Sequence, residues 1–152
     1  MPLSDQEQAQ FRTVRLIAFA MLVAAPILYL VVGSLLEMQE LAGEGTSDMV
    51  MYILLIVSLA QGGLVKLLQR FQIKTFRKNP QTGSTAAQLY VTLSINTAAM
   101  VEAVFLFGLV VFLLTGNIVN MLWFYLIGAV WAVVYWPRPE KFERFLQEMK
   151  TT

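Results

Sequence analysis

The sequence predicts an all-α integral membrane protein, a four-helix bundle followed by a C-terminal amphipathic interfacial helix. Three observations carry that expectation. The chain of 152 residues is 57% hydrophobic and only 14% charged, whereas a soluble domain carries about a quarter charged residues. Its apolar residues fall in four long runs and do not alternate. All eleven Lys and Arg residues fall on one side when those runs are threaded through a bilayer.

The elements follow in order. Ser4 to Glu7 reads as a capping box, so a polar helix is expected to begin there and run into the first span, about residues 14–36. Arg12 and Arg15 ahead of an apolar run resemble the start of a signal peptide, but the run is too long for a typical h-region and reads as a retained span. Pro26 at its middle removes a helical hydrogen bond and is expected to kink it. The loop Glu37 to Asp48 carries acids and no base. A second span covers about 49–71, uncharged from Met49 to Val65, and a third covers about 86–114, interrupted only by Glu102. Thr115 to Asn117 is a tight turn into the fourth span, about 118–136. Each run is close to the roughly 20 apolar residues that cross a bilayer. Continuous runs favour helices, which pair their own backbone groups in lipid. The whole chain, 1–152, reads as one membrane domain.

Orientation follows from the cations. Arg12 and Arg15 precede the first span, Lys66 to Lys78 lie between the second and third, and Arg138 to Lys150 follow the fourth. The positive-inside rule puts both termini and the central loop in the cytoplasm, with a bacterial inner membrane as the expected location. Trp123, Tyr125, Tyr135 and Trp136 lie near the ends of the fourth span, where aromatic belts form. Pro137 and Pro139 break that helix. Phe142, Phe145, Leu146 and Met149 then recur at helical spacing, which predicts an amphipathic helix over about 139–150 on the cytoplasmic surface.

Composition also excludes functions. With no Cys and no His, thiolate nucleophiles, Fe–S clusters, His-based metal sites, bis-His haem and Ser-His catalysis are ruled out. A net charge of +1 without a basic, aromatic-interleaved patch argues against nucleic acid. No cofactor is expected, and the protein reads as a non-enzyme. Its expected partners are the lipid bilayer and other membrane subunits or further copies of itself.

The one pointed feature is Glu102. An ionised acid in mid-bilayer costs roughly 2.5–3.5 kcal/mol, and desolvation favours the neutral acid, which a hydrophobic carbodiimide would label. Gln61 and Glu102 stand almost equally far from the turn near Pro80 to Thr82, so the two are expected to meet. An amide serves either form of the carboxyl. Gly62 and Gly63 next to Gln61 let a neighbouring helix approach. Thr92, Asn96, Ala99 and Ala103 share the Glu102 side at helical spacing. The candidate proton- or ion-binding set is Glu102, Gln61 and Asn96. Ser58, Ser94 and Thr97 read as helix–helix hydrogen-bond groups, and Lys66 and Gln69 as residues that snorkel.

The stretch AAMVEAVFLFGLVVFLL, Ala98 to Leu114, resembles the carboxylate-bearing helix of the rotor-ring proteolipids of rotary ATPases, the c-type subunits. In that family an acid is followed by an aromatic–Gly–Leu–aliphatic run, here Phe107 to Val111. Arg77 to Pro80 resembles the family's basic, Pro-containing cytoplasmic loop, and Gln61 its helper glutamine. The resemblance implies that Glu102 carries a proton and that Gln61 coordinates it. Ala103 and Val104 stand where a sodium site would have hydroxyls, which favours a proton. The second span has only Gly62 and Gly63 where the family's inner helix is Gly-rich, and a further span follows the acid. The expected function is a non-enzymatic membrane subunit with a proteolipid-like, proton-carrying hairpin. The alternative is a structural or assembly subunit in which Glu102 only holds helices together.

Overall fold

The computed structural model describes residues 4–35, 44–78 and 85–150. Its elements are α1 (Asp5–Phe19), a π-helical turn (Ala20–Ala24), α2 (Ala25–Leu35), α3 (Glu44–Lys78), α4 (Ala86–Thr115), α5 (Ile118–Tyr135) and α6 (Pro139–Lys150). No strand occurs among the described residues. Four segments are long and apolar enough to cross a membrane: Asp5–Ser34, Asp48–Lys78, Ala86–Thr115 and Ile118–Tyr135. Of the expected loop Glu37 to Asp48, residues 37–43 lie outside the described residues, as does the turn at Pro80 to Thr82, and residues 44–48 are not loop but the first residues of α3.

Local chemistry sets the helix ends. Ser4 Oγ accepts the Glu7 N–H at 3.3 Å while Glu7 Oε2 accepts the Ser4 N–H at 2.9 Å, the reciprocal box expected. Thr85 and Gln88 form a second box at the start of α4, at 3.2 and 2.9 Å. Between α4 and α5, Gly116 takes φ 65°, which costs a residue without Cβ nothing, and its N–H closes on Phe112 O at 2.8 Å. Asn117 Oδ1 then caps α5 by accepting the Val119 N–H at 2.9 Å. The helix passes through Pro26, and the turn just before it widens: the Ala25 N–H reaches back to Ala20 O in the π pattern. A π turn is how a helix takes up a locally broken ladder.

α4 is the hub. Leu93, Thr97, Ala98, Val101, Val104, Phe105, Gly108, Val111 and Phe112 are buried on it. α1, the π turn and α2 pack on one side of it, α3 on another and α5 on a third. Small residues allow the closest approaches. A Cβ on Gly62 would sit 2.1 Å from Trp131 Cη2, and one on Gly108 would sit 2.9 Å from Phe124 Cβ. The outward faces are apolar, with Ile56 and Phe71 each 67% exposed. Such a surface is unfavourable in water and matches hydrocarbon. α6 docks at the opposite end from the Gly116 turn. Phe142 is wholly buried, stacked on Phe11 with ring centroids 5.3 Å apart and tilted against Tyr90 at 4.8 Å.

Candidate functional site

Contacts along the bundle fix which residues share a level. Gln69 Nε2 donates to Thr97 Oγ1 at 2.9 Å across α3 and α4. Five residues on in antiparallel helices, Leu64 stands opposite Glu102 and Gln61 about one turn beyond it. α1 runs alongside α4 in the same direction, with Ala18 and Leu22 packed on Ala98, Val101 and Phe105. Arg15, the last charge before the first apolar run, therefore comes level with about Ile95. Lys66, which ends the uncharged run of α3, comes level with about Met100. Tyr135, the last residue of α5, and Trp136 just after it pack in the cluster of Ala98 and Val101.

These levels relocate the acid. Glu102 is in the middle of α4, as expected, but the first ten residues of α4 lie beside the polar start of α1 and beside α6. The slab common to all four uncharged runs begins near Val101, the level of Val65 on α3. Glu102 lies only about 1.5–3 Å inside its basic end, at 1.5 Å per residue, and not at its midplane. Its Cβ also points toward the N-terminus of α4, the basic end.

Glu102 is half-buried and does not meet Gln61. Its Oε1 accepts the Tyr29 hydroxyl at 2.6 Å. Tyr29 lies one turn beyond Pro26 on α2. The expected pair fails because of rotation about α4. The seam facing α3 is Thr97, Val101 and Val104, and Glu102 stands one residue, about 100°, round from it. Gln61 instead lies in a crevice with Gly62, Val65, Val101, Val104, Trp131 and Tyr135 that has no room for water. Its Oε1 is buried without a hydrogen-bond partner among the described residues, at a cost of about 1–3 kcal/mol. Asn96 is exposed, as are Thr92 and Ala99, so the polar face expected to join the hairpin turns outward. The set Glu102, Gln61 and Asn96 is therefore not assembled.

Other polar groups cross between helices. Tyr125 Oη donates to Pro26 O at 3.0 Å, so this residue is an interhelical link as well as a belt aromatic. Tyr135 Oη donates to Gly62 O at 2.8 Å and Trp131 Nε1 to Ser58 O at 3.3 Å. Thr97 bridges helices, as expected. Gln69 does not snorkel, because Thr97 supplies an acceptor within reach. The hydroxyl of Ser58 turns back to Leu54 O at 2.8 Å, so only its carbonyl joins helices. Gly62 admits α5, not α4, while Gly63 faces open space. Tyr29 and Tyr125 were the readable signal for these links: a phenol deep in an apolar run needs a partner for its hydroxyl.

Fold and site together define a small helical bundle with four helices long and apolar enough to cross a membrane, and with a carboxyl tied to a phenol near the basic end of its apolar slab. No known family model matches the chain, and no curated protein or solved structure shows significant similarity to it.

Proposed function

We propose that the chain is a non-enzymatic integral membrane subunit with a structural or assembly role, in which Glu102 is the acceptor that ties α4 to α2. The observation that carries this reading is the 2.6 Å bond from Tyr29. It is the described side-chain hydrogen bond linking α2 to the hub helix. An interhelical bond in a membrane contributes about 0.6–2 kcal/mol, enough to fix the rotation of a helix whose apolar residues surround it on all sides. The cations at the shared end of α1, α3 and α4 support a topology with both termini in the cytoplasm. The buried Phe142 and Leu146 on α6, opposite the exposed Glu143, Arg144 and Gln147, support a helix lying at that surface. The large outward apolar area leaves room for neighbouring subunits or copies of the chain beside lipid.

A structural acceptor does not require acidity. Glu102→Gln should keep the link and remain within about 0.5 kcal/mol of the natural protein. Glu102→Ala and Tyr29→Phe should each lose about 0.6–2 kcal/mol, and the double variant should lose less than their sum. Unfolding in micelles measures all four. Additive losses, or no loss, would overturn the link.

A second reading, in which Glu102 carries a proton, is favoured by one contrast. The other described side-chain links between the four apolar helices use neutral groups, and an amide would accept the Tyr29 hydroxyl as well as an acid does. Infrared difference spectra between acid and alkaline buffer distinguish the readings. A carboxyl band that vanishes in Glu102→Gln supports proton exchange, and a spectrum unchanged by that substitution excludes it.

A further inference from the structure

A second feature lies outside the Glu102 contact. Where the uncharged runs of α3 and α5 end, a cavity of about 320 Å³ opens between α3, α4, the end of α5 and α6. Lys66 enters it from α3 and Lys141 from α6, and no Asp or Glu lines it. Its polar wall is the Gln69–Thr97 pair with Tyr135, and Trp136 closes one side. Lys141 Nζ donates to Val134 O at 2.9 Å, one of the carbonyls left free at the end of α5. That bond holds the ammonium at the cavity and leaves it two further donors. Lys66 is exposed and makes no hydrogen bond or ion pair among the described residues.

Two ammonium groups converging from different helices on a cavity without an acid leave positive charge uncompensated. The bland account, a snorkelling Lys66 and a capping Lys141, explains each residue but not their shared place in the lining of one cavity, whose Thr97 and Tyr135 hydroxyls already donate to Leu93 O and Gly62 O. The level of the cavity narrows the ligand. Lys66 is the first charge after the uncharged run of α3, and Trp136 and Tyr135 are aromatics of the kind that sit at headgroup depth. Outside the cavity α3 continues with exposed Arg70, Lys74, Arg77 and Lys78, a polybasic stretch directly beyond a span. Such segments attract anionic leaflets at about 1 kcal/mol per cation, and basic pockets between spans hold anionic headgroups.

We infer that this cavity binds the phosphate headgroup of an anionic phospholipid from the leaflet at the basic end of the bundle, with Lys66 and Lys141 as its charge partners. The inference is independent of the role of Glu102.

Native mass spectrometry of the detergent-solubilised full chain, titrated with phosphatidylglycerol, phosphatidylcholine or inorganic phosphate, tests it. Phosphatidylglycerol should be retained preferentially over phosphatidylcholine, and inorganic phosphate should not displace it. Lys66→Gln should weaken retention about 5-fold and Lys66→Gln with Lys141→Gln about 30-fold, the second value corresponding to about 2 kcal/mol for two cations. Lys66→Gln is the cleaner variant, because it breaks no described bond. Helical content without lipid confirms that both variants are folded. Arg77→Gln with Lys78→Gln, outside the cavity, should weaken retention less than 5-fold. Equal retention of the two lipids overturns the site, and so does an equal loss from the Arg77 and Lys78 pair. Displacement by inorganic phosphate at equal concentration assigns the cavity to a free anion and overturns the lipid.

Discussion

Replacing Gly62 by Ala sets a methyl group against Trp131. The new Cβ would lie 2.1 Å from Cη2 and 2.3 Å from Cζ2, whereas carbon atoms in contact sit about 3.5–4.0 Å apart. Either α3 and α5 separate or the indole swings out. The first course strains the Tyr135 bond to Gly62 O and the second breaks the Trp131 bond to Ser58 O. Overpacking costs about 1–3 kcal/mol, and one lost interhelical bond adds about 0.6–2 kcal/mol. Against this, Ala favours the helix by about 0.5–1 kcal/mol. The net expectation for Gly62→Ala is a loss of about 1–4 kcal/mol. At the next residue the sign reverses. A Cβ on Gly63 meets nothing within 4 Å, so only the backbone contribution is left and Gly63→Ala should gain up to about 1 kcal/mol. Unfolding in mixed micelles with rising denaturing detergent, followed by far-ultraviolet dichroism and Trp fluorescence, measures both. If the two variants shift stability in the same direction, the packing of α3 on α5 described above is wrong.

Phe142→Ala should free α6 from Phe11 and Tyr90, with a loss approaching the 3–5 kcal/mol of a core Phe. Limited trypsin digestion should then cut after Lys141 and Arg144 faster than in the natural protein. Gln69→Leu should remove the donor to Thr97 and cost about 0.6–2 kcal/mol, and Thr97→Val with it should cost little more, as read by the same unfolding assay. Cys placed at Asn117 should react with an impermeant thiol reagent on intact cells and Cys placed at Lys78 should not; the reverse pattern inverts the topology.

The helices were legible because their signals are local. Ser4 with Glu7, the uncharged runs, and Gly116 with Asn117 each act within a few residues of themselves. The Gln61–Glu102 pair failed for a reason no local pattern contains. Counting from a turn gives depth, but contact also needs rotation, and the apolar residues of α4 are spread around its whole circumference, so Thr92 and Asn96 do not reveal which neighbour Glu102 faces. The same blindness hid the depth of Glu102. Thr85 starts α4 well before the slab that its neighbours share, and the sequence of α4 does not mark where polar surroundings end, since Ala86, Ala87 and Leu89 read as apolar as the residues beyond. Tyr29 is a phenol within an apolar run, but its partner is identifiable only from the way α2 lies along α4.

The hub position of α4 also has a temporal side. A ribosome delivers α1, α2 and α3 before α4 exists, yet among the described residues α3 packs on α4 and α5 and has no extensive contact with α1 or α2. The first half of the chain is thus made before its packing partners. Tyr29 is then a phenol without an acceptor and Gly62 a notch without its indole, until Glu102 and Trp131 are synthesised.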